Sequence, residues 1–169
     1  MSLTLRARRF PYRYAMFAGA VSGAACTVTG ILLIFALIAW LPPEQRGASA
    51  GSFLGGLSPA RMFVVAVLWI PLWETLIAQL LPLEAGRRIG LPDWACILVV
   101  AGLFGLGHYF NGGLAHGICS ASAGAIFSCA YLHLRPYGRR AACLASYLAH
   151  ALNNWLALYI VPTVFPQFG

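Results

Sequence analysis

The run from Ala15 to Leu41 holds twenty-seven consecutive residues without a charge. As a helix rising about 1.5 Å per residue it would extend ~40 Å, more than the ~30 Å hydrocarbon layer of a bilayer. A signal peptide needs an apolar core of only about 7 to 15 residues, so the Ala48-x-Ala50 pattern downstream does not mark a cleavable leader. The run reads as a retained first span. Four more apolar stretches follow, near residues 61–82, 93–110, 115–134 and 141–161. With 60% hydrophobic and 9% charged residues, the chain falls outside the ordinary soluble class. The expected fold class is all-α: a polytopic membrane helix bundle with five transmembrane helices.

The connections fit that reading. A Pro/Gly/Ser-rich loop covers about residues 42–60, and Asn111-Gly112-Gly113 marks a tight reversal between the third and fourth spans. The net charge of +7 rests on eleven arginines with no lysine. Nine of them lie in the arm (Arg6, Arg8, Arg9, Arg13) and in the turns at Arg87–Arg88 and Arg135–Arg140; Arg46 and Arg61 are the exceptions. Such clustering is membrane topology and not a nucleic-acid face, and it places the N-terminus in the cytoplasm and the C-terminus outside. Small size and the absence of a retention signal point to a bacterial inner membrane. Five cysteines without a C-x-x-C spacing read as packing residues, with no disulfide framework.

Against this apolar background four polar side chains stand out: Glu74, His108, His150 and Asn154. Each costs roughly 2.5 to 3.5 kcal/mol at a helix centre, so four near one depth imply a buried chemical site. His150 and Asn154 are four residues apart and share a helix face, as do Phe104 and His108. A carboxylate and an imidazole on one water can take its proton, and a second imidazole with an amide can donate to a developing oxyanion. His116 is expected to be a solvated turn residue and His133 to be interfacial. Ser120, Ser122, Gly124 and Ser128 suit close helix packing, since no base is placed to activate a serine.

Pro71-Leu-Trp-Glu74-Thr75-Leu-Ile-Ala-Gln79, Phe104-Gly-Leu-Gly-His108 with Asn111-Gly112, and His150-Ala-Leu-Asn153-Asn154 together resemble the three motifs of the CAAX protease and bacteriocin-processing (CPBP, or ABI) family of intramembrane proteases. The resemblance implies a four-helix CPBP-like core over residues 61–161, preceded by an arm, first helix and loop (1–60) and followed by a short tail (162–169). It implies an endopeptidase acting on a membrane-associated, prenylated or lipidated peptide or protein, with the bilayer as its surroundings and no nucleic-acid partner. Glu74 and His108 match the residues that activate water, and His150 and Asn154 match the oxyanion pair. Thr75 and Gln79 stand where the family pattern has Glu and Arg, and are expected to support Glu74; losing both charges together removes an ion pair without changing the local charge. No cofactor is favoured. Were zinc bound, Glu74, His108 and His150 would be its ligands. The rival reading is a non-enzymatic membrane scaffold that retains the fold.

Overall fold

The computed structural model describes residues 9–47 and 54–165, and every regular element among them is helical. Arg6, Arg8, the Ala48-x-Ala50 pattern and residues 166–169 of the tail lie outside the described residues. Helix α1 is Pro11–Trp40, α2 the single turn Pro43–Arg46, α3 Pro59–Arg88, α4 Asp93–Leu134 and α5 Arg139–Trp155. The chain continues past α5 through a wide turn at Leu156–Ile160 to Val164. Three helices are long and apolar enough to cross a membrane: α1, α3 and the 45-residue stretch Asp93–Tyr137.

That third stretch is two helices. Gly113 takes φ 83° and ψ −173°, a conformation open to glycine alone, and the chain reverses there. Gly105 then packs on Ala121, Gly117 on Tyr109 and Gly124 on Phe104, the falling register of an antiparallel hairpin. With α5 and its extension, the chain forms a polytopic bundle of five apolar helical segments, as the sequence predicts. Large apolar side chains such as Phe17, Leu32, Ile77, Leu98 and Leu106 point outward. Outward apolar surface on this scale belongs against lipid. The chain is an integral membrane protein.

Inside the bundle, small residues let backbones approach. A Cβ added at Gly19 would lie 2.8 Å from the Ala145 carbonyl, and one at Gly23 would lie 2.7 Å from that of Ala149. The Gly19-x-x-x-Gly23 spacing of α1 thus meets the Ala145-x-x-x-Ala149 spacing of α5 in a close crossing. The basic turns gather at one end of the bundle. There Glu84 receives Arg135 at 2.5 Å and lies 3.6 Å from Arg139, and Tyr14 is 3.0 Å from His133.

Prolines shape α3. Three wide turns occur, at Phe63–Trp69, Glu74–Leu80 and Leu156–Ile160, and each ends one residue before an X-Pro pair. The N–H groups of Ile70, Leu81 and Val161 each bond the carbonyl five residues back, and Pro71, Pro82 and Pro162 follow them. A proline ring crowds the carbonyl four residues earlier, so the preceding turn widens to the π pattern instead of breaking. Pro71 has no N–H to give the next carbonyl in that pattern, Ala66 O, and this orphan is used at the site described below.

Candidate active site

Glu74 opens the second wide turn of α3, ten residues from the charged level of Glu84. Ten residues are ~15 Å, half the hydrocarbon thickness. The bundle brings both predicted histidines to this carboxylate. His150 Nε2 lies 3.4 Å from Glu74 Oε2, and His108 Nε2 lies 3.9 Å from Glu74 Oε1. Glu74, His108, His150 and Asn154 all line one cavity of about 820 Å³.

The two imidazoles are held differently. His108 Nδ1 is 2.8 Å from Phe104 O, and its ring stacks on Phe104 at 5.9 Å. A carbonyl only accepts, so Nδ1 carries a proton, and Nε2 is the nitrogen turned toward Glu74. His150 is buried, stacks on Phe127 at 4.7 Å, and leaves Nδ1 without a protein partner. Its Nε2 faces a carboxylate oxygen, so the proton of the neutral ring belongs there.

Asn154 Nδ2 donates to Ala66 O at 2.9 Å. This is the carbonyl that Pro71 leaves without a backbone donor, so a proline on α3 fixes an amide on α5. The second N–H of Asn154 remains for the cavity.

A model of the family described as type II CAAX prenyl endopeptidase Rce1-like matches residues 56–156, more than half the chain. The chain belongs to this family. No curated protein and no solved structure matches it significantly. The Rce1-like family is one of CAAX-type intramembrane proteases, and its matched region contains α3, α4 and α5 but not α1.

In this Rce1-like chain the two positions that depart from the resembled motif do not touch Glu74. Gln79 Nε2 donates to Ser146 Oγ at 2.6 Å, and Ser146 donates to Phe127 O at 3.1 Å. The expected support of Glu74 by Gln79 is therefore a tie to α5, one turn before His150. Thr75 and Gln79 are both fully buried, and Thr75 Oγ1 and Gln79 Oε1 have no protein partner. His116 also departs from expectation: it is half-buried, lines the cavity and lies with its ring 5.0 Å from that of His108. The reversal at Gly113 turns it inward. His133 pairs with Tyr14 away from the cavity. Ser146, Ala66 and Thr27 are site neighbours that the motifs do not mark; the spacing Ser146 to His150 and the proline at 71 were their only sequence signals.

A zinc ion would require Glu74, His108 and His150 as joint ligands. Among the described residues, no three His, Cys, Asp or Glu side chains are disposed around one ion.

The Pro71 relation gives a direct test. Pro71→Ala supplies an N–H that competes for Ala66 O; if Asn154 serves as an oxyanion donor, kcat should fall ~10-fold through its misplacement, the size of a partial loss of one such donor. The helix itself should gain stability, since proline costs ~3 kcal/mol against alanine in a helix interior. Kinetics and thermal unfolding of the same preparation check both signs.

Proposed function

We propose that the chain is an intramembrane endopeptidase that hydrolyses a peptide bond of a prenylated or otherwise lipidated, membrane-associated substrate. The observation that carries this reading is the convergence of two imidazoles on one carboxylate, His150 Nε2 at 3.4 Å and His108 Nε2 at 3.9 Å, and the mechanism takes His108 in its neutral form with the proton on Nδ1. Glu74 and His108 Nε2 are both acceptors, separated by 3.9 Å. A gap above 3.5 Å between polar groups has room for a bridging water, and the mechanism places one there. A water between them donates both of its protons, and its oxygen lone pair is directed at the substrate. Glu74 takes a proton as the water oxygen adds to the scissile carbonyl carbon. The oxyanion that forms accepts from the free Asn154 N–H and from His150 Nε2–H, which turns from Glu74 once the carboxylate has taken up the proton. The tetrahedral intermediate then collapses: the C–N bond breaks and Glu74 returns its proton to the leaving amine.

The gathering of the basic turns at one end of the bundle supports a cytoplasmic N-terminus by the positive-inside rule, and we assign the protein to a bacterial inner membrane. The test uses purified protein in proteoliposomes and a farnesylated peptide ending in Cys-aliphatic-aliphatic-X, with product masses as the readout. Cleavage should persist after exhaustive chelation. Activity lost to chelator and restored by stoichiometric zinc would instead make Glu74, His108 and His150 metal ligands.

A further inference from the structure

Helix α1 lies outside the family match, yet it lines the cavity that holds Glu74, through Thr27, Gly30, Ile31 and Ile34 among others. Thr27 ties its side chain to the residue beside Asn154. The Thr27 hydroxyl is 3.1 Å from Asn153 Oδ1 and 3.2 Å from Gly23 O in its own helix. Asn153 Nδ2 is 3.4 Å from Asn154 Oδ1, and Asn154 Nδ2 donates to Ala66 O at 2.9 Å. The direction of this relay is forced from its far end. Ala66 O can only accept, so the nitrogen of Asn154 faces it and the oxygen of Asn154 must receive from Asn153. The oxygen of Asn153 is then turned to α1, where only a donor satisfies it.

We infer that Thr27 is a positioning residue that fixes the orientation of the Asn154 amide through Asn153. The inference rests on the oxyanion role given to Asn154 in the proposed function. Without the hydroxyl, Asn153 Oδ1 has no donor and the 3.4 Å contact to Asn154 Oδ1 alone holds the Asn153 nitrogen in place. The donor that keeps the Asn154 oxygen away from the oxyanion is then held less firmly. The effect reaches the transition state and not substrate binding, because Asn154 donates to charge that develops only during the reaction. Valine has the shape of threonine without the donor, and serine keeps the donor without the methyl.

The experiment compares Thr27→Val, Thr27→Ser, Asn154→Ala, Thr27→Val with Asn154→Ala, and Glu74→Gln, using the farnesylated peptide in proteoliposomes. Thr27→Val should lower kcat about fivefold with KM nearly unchanged, the size of one net hydrogen bond. Thr27→Ser should stay within about twofold of wild type on the same scale. In the Asn154→Ala background Thr27→Val should add nothing, since its route to the reaction is gone. Full kcat in folded Thr27→Val, or an equal loss in both backgrounds, overturns the inference. If Thr27→Val does not accumulate in the membrane, Asn153→Ala breaks the same relay and is read by the same criteria. The outcomes separate the two claims: inactive Glu74→Gln with unaffected Thr27→Val overturns only the positioning role, whereas active Glu74→Gln overturns the proposed function itself.

Discussion

Glu74→Gln and His108→Ala should each lower kcat by ~10³ or more while leaving folded protein in the membrane, and the double variant should be no slower than the worse single one. General-base catalysis contributes roughly 10² to 10⁴, and residues that act as one unit are strongly non-additive. The 3.9 Å separation of Glu74 and His108 is the physical reason for the shared loss. In the proposed mechanism both accept from one water, so removing either leaves the other with nothing to activate. Glutamine in place of Glu74 retains the size and polarity of the side chain and removes only the basicity. Additive losses in the double variant would mean that the two residues act on different steps.

Thr75→Glu and Gln79→Arg, each made alone, should destabilise the protein strongly, and the double variant should recover most of that loss. Both positions are fully buried, with Oγ1 of Thr75 and Oε1 of Gln79 unpartnered. An uncompensated charge placed there costs ~3 to 5 kcal/mol, whereas two opposite charges four residues apart can satisfy each other. Gln79→Arg also breaks the bond to Ser146 that braces α5 beside His150. Detergent-resistant folded yield and thermal midpoints of the three variants check the pattern. A stable single Gln79→Arg variant would show that residue 79 reaches Glu74 instead of the interior of α5.

The fold was largely legible because its strongest determinant is one-dimensional: five apolar stretches of sufficient length, with a double glycine at the one reversal that has almost no loop. The meeting of Glu74, His108 and His150 followed from motif spacing and from a common depth in the bilayer. What escaped prediction depends on orientation around a helix. Thr75 and Gln79 fall in a wide turn that Pro82 terminates, so a wheel drawn at 3.6 residues per turn misplaces them relative to Glu74. The anchor of Asn154 is a main-chain carbonyl, and no side-chain pattern announces it. Only Pro71, five residues after Ala66, carries that information. The part of α1 in the site was equally hidden, since Thr27 and Asn153 are 126 residues apart and their helices meet where glycines of one pack on alanines and leucines of the other.

The central claim is that Glu74 activates a water for direct attack on a peptide bond. The most direct measurement is mass spectrometry of a farnesylated Cys-aliphatic-aliphatic-X peptide incubated in heavy-oxygen water with proteoliposomes holding wild-type or Glu74→Gln protein. The expected result is a single cleaved bond in the wild-type sample, one solvent oxygen in the new carboxylate, and no product from Glu74→Gln. Cleavage of the same bond by Glu74→Gln at the wild-type rate would contradict the claim, and absence of product from both, with both proteins folded, would favour a scaffold that keeps the fold without the chemistry.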